Sequence, residues 1–111
     1  MPQVQLRQNI LTVLSILQDY FHQQYKERLY RVILFGSQAR QDATANSDID
    51  VLVVLQDPVD ASVEIERTSR FIAQLCLNHN VLVSRLFLPR SRFETENSPL
   101  LKNIRSEGFV L

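Results

Sequence analysis

Cysteine occurs only once in this 111-residue chain, at Cys76, so no disulfide can close within it. A cysteine–histidine cluster of metal-binding spacing is lacking as well. Cys76 sits in an apolar segment and reads as a small core residue rather than a nucleophile. An excess of one charge is also missing, because 12 Lys and Arg balance 12 Asp and Glu. That balance argues against direct nucleic-acid binding through a broad basic footprint, and it leaves little repulsion against association with another protein. The N-terminus has no basic stretch followed by a continuous apolar core, so no signal peptide is expected. No run approaches the length of a membrane span, and the expected compartment is the cytoplasm. Repeats, low-complexity tracts and interdomain linkers are absent too. A 45% hydrophobic fraction against 22% charged residues is what one globular domain with a single core requires, and that domain is expected to span residues 1–111.

The apolar residues that are present fall into readable periods. Pro2 suits the first turn of a helix. Leu6, Ile10, Val13, Leu14, Leu17 and Phe21 then recur at helical spacing to about Gln24, with Leu11 and Ile16 widening the face. A strand is expected over Leu29–Phe35, a short helical turn over Ser37–Gln41, a polar loop over Asp42–Ser47 and a second strand over Asp48–Leu55. A helix over Val59–His79 should offer Val63, Ile65, Ile72 and Leu75 to the core, and Asn78-His79-Asn80 breaks it. A third strand follows over Val81–Leu88, ended by Pro89, then short helices over Arg92–Glu96 and Pro99–Arg105, with Gly108 as a stop. The fold class is α/β (α+β), a small mixed sheet packed against helices on one side. His22 and His79 have no spacing that suggests a ligand or base, and Tyr20, Tyr25 and Tyr30 read as packing residues.

One stretch carries chemistry. The first strand stops at Gly36-Ser37, and after ten intervening residues Asp48-Ile49-Asp50 opens the second. Aspartates at i and i+2 on a strand point to one face, roughly 7 Å apart, so both can address one metal while Ile49, Val51 and Val53 face the other way. Inward-facing carboxylates without a cation would repel each other. Two cations about 4 Å apart would turn that repulsion to use in an in-line displacement, and Mg²⁺ takes one or two carboxylates plus substrate phosphates. Gly36 permits close backbone approach. Ser37 adds a hydroxyl at the start of the expected turn, where free N–H groups favour phosphate. Gly36-Ser37 alone would pass for a strand-ending turn; with the aspartates, phosphate binding is the better reading.

This Gly-Ser and Asp-x-Asp spacing resembles the signature of the DNA polymerase β-like nucleotidyltransferase superfamily, closest to its minimal stand-alone MNT domains. The resemblance covers Arg31 to Leu55 firmly and the rest only in its order of elements. It implies a polymerase β-like palm in which Asp48 and Asp50 hold Mg²⁺ as the catalytic pair and Gly36 and Ser37 bind the β- and γ-phosphates of ATP. By the same resemblance Arg40 could reach the triphosphate, with a solvated surface arginine close behind as a reading, and Ser47 could contact the nucleotide, although a simple loop cap is its plainer reading.

Two positions depart from the family pattern. Gln41 stands where many relatives have glycine, and the third expected strand, Asn80 to Leu88, carries no acid. Ser84 is the polar candidate on the Leu82/Leu86 face, and a serine is no general base at neutral pH. A domain this small must find its acceptor on another molecule. Minimal MNT proteins look like the antitoxin halves of HEPN–MNT toxin–antitoxin pairs, which implies AMP transfer from ATP to a HEPN-type helical ribonuclease toxin. A homodimer modifying a small molecule, a catalytically inactive binding module and a purely structural protein stay open as alternatives.

Overall fold

The computed structural model describes residues 2–40 and 48–111, with the backbone alone for residues 2–7 and 40. Ser47 and the expected loop from Asp42 lie outside the described residues, as do Gln41 and the side chains of Leu6 and Arg40.

A helix α1 (Pro2–Tyr25) leads through a 3₁₀ turn at Lys26–Arg28 into β1 (Leu29–Phe35). The short helix α2 (Ser37–Arg40) and strand β2 (Ile49–Leu55) follow, then helix α3 (Ala61–His79) and strand β3 (Val83–Pro89). Two short helices, α4 (Arg90–Thr95) and α5 (Pro99–Glu107), precede a final strand β4 (Phe109–Val110). The sheet runs β3-β2-β1-β4, with β2 parallel to β3 and β1 antiparallel to both β2 and β4. Parallel neighbours need a long crossover, which the 19-residue α3 supplies.

β2 is the central element of the core. Ile49 and Val51 through Leu55 are all 0% exposed, which a strand covered on both faces requires. On one face Val51, Val53 and Leu55 pack with Val32, Leu34 and the inner sides of α1 and α3. On the other, Leu52 and Val54 meet Ile33, with Phe93 of α4 and Leu101 and Ile104 of α5. Helices therefore cover both faces, not one as the order of elements suggests. The second layer is built by helices too short to show an extended apolar period.

The helix caps explain the element boundaries. Asp60 accepts N–H bonds from Ser62 (3.1 Å) and Val63 (3.4 Å), so α3 starts after it rather than at Val59. At the other end Asn80 adopts a left-handed conformation (φ 52°), and the Val81 N–H bonds back to the Cys76 carbonyl at 3.2 Å. Val81 thus belongs to the helix stop, and β3 begins two residues later than its apolar run suggests.

The inward face of α3 also departs from expectation. Val63 and Ile65 are exposed, while Glu64, Thr68, Ile72 and Leu75 are buried. The polar members are satisfied. Glu64 accepts from the Tyr25 hydroxyl (2.8 Å) and pairs with Arg67 (3.0 Å), and Thr68 accepts from Arg85 Nε (2.8 Å). Burial and the Glu64 carboxylate push the Tyr25 hydroxyl well above the usual phenol range. The tyrosines are packing residues as expected: Tyr20 stacks on Phe71 at 3.7 Å and Arg90 lies 4.1 Å over the Tyr30 ring. Cys76 is half-buried against the same core.

β4 was not foreseen. Phe109 and Val110 extend the sheet beside Leu34 and Ile33, and Gly108 lets the chain enter, because a Cβ there would meet Ile33 Cγ2 at 2.6 Å. The apolar side of α1 is used internally, with Val13, Leu14, Leu17 and Phe21 buried. Leu11 of α1, Leu100 of α5, and Phe109 and Val110 of β4 are exposed.

Candidate active site

The site forms where β1 ends and β2 begins. The chain leaves Phe35 through Gly36 at φ +74°, a conformation that glycine adopts freely and L side chains resist. Ser37 then opens α2, whose four residues end at Arg40. The expected turn is present.

Gly36 and Asp50 are brought into direct contact. A Cβ on Gly36 would lie 2.5 Å from Asp50 Oδ2, closer than any side chain permits. The absence of a side chain at position 36 is therefore what makes room for the carboxylate. Phe35 is the cross-strand partner of Asp50, and the Ile49 N–H bonds to the Leu82 carbonyl at 2.9 Å, which pins the start of β2 between its two neighbours.

Asp48 is exposed just before β2, Asp50 is half-buried in its first turn of pleat, and Ile49 between them is fully buried on the opposite face. The alternation expected from the sequence is what the fold shows. Burial, and after it the neighbouring Asp48 carboxylate, push the Asp50 carboxyl above the usual carboxylate range. The pair opens to solvent rather than into the core, so a charged ligand can reach it. Two carboxylates that repel each other, one of them partly desolvated, suit a divalent cation with open positions for phosphate oxygens.

On the other side of β2, Ser84 is the register partner of Asp50, with Leu86 beside Leu52. Ser84 is exposed, and Leu82 and Leu86 on its face are 65% and 39% exposed. Among the described residues, no group of three or more His, Cys, Asp or Glu is placed to hold a metal. Arg85, next to Ser84, points to the opposite face and bonds Thr68. His22 is exposed, and the His79 backbone carbonyl accepts from Asn9, so neither histidine joins the site. The Asp50–Ser84 adjacency needs the parallel register, which local periodicity does not reveal. No helix among the described residues is long and apolar enough to cross a membrane.

Comparison with known proteins bears on the family and the fold. Residues 14–110 match the family model described as nucleotidyltransferase domain. The chain is 32% identical over 88 residues to a protein of Methanocaldococcus jannaschii named "Putative protein adenylyltransferase MJ0604", a match covering 78% of this chain and 82% of that one. Among solved structures, a Sulfolobus solfataricus protein described as "a putative nucleotidyltransferase" superposes with a TM-score of 0.58 at 20% identity, over 97% of this chain and 80% of its own. A toxin–antitoxin structure with AMP-PNP superposes with a TM-score of 0.57 at 17% identity, over 93% of this chain and 69% of the other. These two likenesses bear on the fold, the mixed sheet with helices that positions Asp48 and Asp50. With the family model spanning β1, the Gly36-Ser37 turn and the Asp48/Asp50 strand, the chain belongs to the nucleotidyltransferase domain family.

Proposed function

We propose that this nucleotidyltransferase is a Mg²⁺-dependent protein adenylyltransferase, moving AMP from ATP onto a hydroxyl of a helical HEPN-type toxin and acting as its antitoxin. The observation that carries the reading is the seating of Asp50 against the side-chain-free Gly36, with Asp48 exposed beside it. The relative named as a protein adenylyltransferase supports the acceptor class, and the toxin–antitoxin neighbour with AMP-PNP supports the partner and the nucleotide.

In this reading Asp48 and Asp50 hold the cation, which offsets charge on the triphosphate and on the departing pyrophosphate. Gly36 keeps the backbone close enough for the phosphates to lie beside Asp50, and the Ser37 hydroxyl donates to a phosphate oxygen. Arg40 and Ser47 are proposed as further nucleotide contacts. The acceptor is held by the partner, which supplies the positioning that dominates this kind of transfer.

Incubation of the chain and its partner with ATP labelled at the α-phosphate should leave label on the partner through a denaturing gel. Label at the γ-phosphate should not transfer. Asp48→Asn and Asp50→Asn keep side-chain volume, and each should abolish labelling and Mg²⁺-ATP binding by calorimetry while the protein stays folded. Complex formation with no α-label at any protein ratio would overturn the reading.

A further inference from the structure

We propose that Ser84 makes this a site for one divalent cation, held with the nucleotide by Asp48 and Asp50. The inference rests on the nucleotidyl-transfer reading above and concerns the composition of that same site.

The argument starts from register. Asp50 and Ser84 are partners in the parallel β2–β3 ladder, so their side chains leave the same face of adjacent strands, about 4.8 Å apart at the backbone. Any cation on Asp50 therefore lies within reach of a side chain at position 84. An acid there would add a third anionic oxygen donor, and two cations 3.5–4 Å apart need such donors to offset their mutual repulsion. Serine offers a neutral hydroxyl instead.

The rest of β3 does not compensate. On the Ser84 face the neighbours are Leu82 and Leu86, both exposed and apolar. Arg85 is turned away toward Thr68, and Phe87 is buried among core residues. The anionic donors on this face of the described site are thus Asp48 and Asp50, a number matched to one Mg²⁺ that completes its shell with phosphate oxygens and water.

The consequence falls on the acceptor. Its oxygen bonds to the α-phosphorus as the bond from that phosphorus to the pyrophosphate oxygen breaks. The acceptor proton leaves to solvent, with no second cation to lower its pKa.

Counting ions tests this without relying on turnover. Wild type, Ser84→Asn and Ser84→Asp are dialysed to equilibrium against Mn²⁺ and α,β-methylene-ATP, and the retained cation is divided by the retained nucleotide. The expected ratio is one for wild type and Ser84→Asn and two for Ser84→Asp. A ratio of two in wild type overturns the inference and leaves nucleotidyl transfer standing. A ratio of one in Ser84→Asp with wild-type melting overturns the role of position 84. If Ser84→Asp fails to fold, Ser84→Glu takes its place in the count. No retained nucleotide in the wild type would instead overturn the nucleotidyl-transfer reading itself.

Discussion

Replacing Gly36 by alanine separates a backbone cost from a contact with the Asp50 carboxylate. At φ +74° an L side chain costs about 1–2 kcal/mol. The new Cβ would also sit 2.5 Å from Asp50 Oδ2, and swinging that carboxylate off its rotamer adds about 0.5–1.5 kcal/mol. Alanine restricts the unfolded chain, returning about 0.4–1 kcal/mol. The net loss for Gly36→Ala is therefore about 0.5–3 kcal/mol, or about 2–12 °C in melting temperature for a domain of this size.

In an Asp50→Ala background the obstructing oxygen is gone, so the same substitution should cost about 1 kcal/mol less. Urea denaturation of the four proteins in chelator measures the difference as a double-mutant cycle. An identical cost in both backgrounds would refute the claim that Gly36 exists to accommodate Asp50. Gly36→Ala should in addition weaken Mg²⁺-nucleotide binding. Gly108→Ala, whose Cβ would strike the Ile104 carbonyl and Ile33, should destabilise the fold and leave nucleotide affinity alone.

Ser37→Ala should weaken triphosphate binding by about 1.5–3 kcal/mol, as for one hydrogen bond to a charged group, with little change in melting temperature; calorimetry and thermal unfolding together check it. Tyr25→Phe leaves the ring among Phe21 and Phe87 but withdraws the hydroxyl from Glu64, and should cost about 1.5–3 kcal/mol in urea denaturation with transfer activity retained. Hydrogen bonds from Ser91 hold Asp57, and those from Ser62 and Val63 hold Asp60, below the usual carboxylate range. A depressed folded-state pKa stabilises above the unfolded pKa near 4, and that contribution is lost as pH falls through the lower folded value. Stability measured from pH 6 down to pH 2 should therefore fall, and less steeply in Asp57→Ala and Asp60→Ala.

Much of this architecture was legible in the chain itself. Period-two alternation places β1 over Leu29–Phe35 and sends Asp48 and Asp50 to the face opposite Ile49, because a pleated strand leaves side chains no other choice. The inward face of α3 was misread because its anchors include Glu64 and Thr68, residues that enter a core only when a partner from elsewhere satisfies them. The short helices α4 and α5 were expected, but not that they cover the second face of the sheet, since Phe93, Leu101 and Ile104 lie in helices of 6 and 9 residues, and a two-residue strand such as β4 has no period at all. Ser84 could be named from its strand. Its position beside Asp50 depends on a pairing made across the whole of α3.

The complete burial of β2 ties activity to the integrity of the fold. A slip of one residue in its pairing would turn both carboxylates toward the α1–α3 core and Ile49 to the open end of the other face, and would set Val51, Val53 and Leu55 against α4 and α5 in positions shaped for Leu52 and Val54. Such a state forfeits the core and the proposed cation site together, so no loosened form of the sheet can keep one without the other. Enzymatic activity and native structure should consequently disappear along one denaturation curve. A partly unfolded nucleotidyltransferase of this build would be silent rather than impaired.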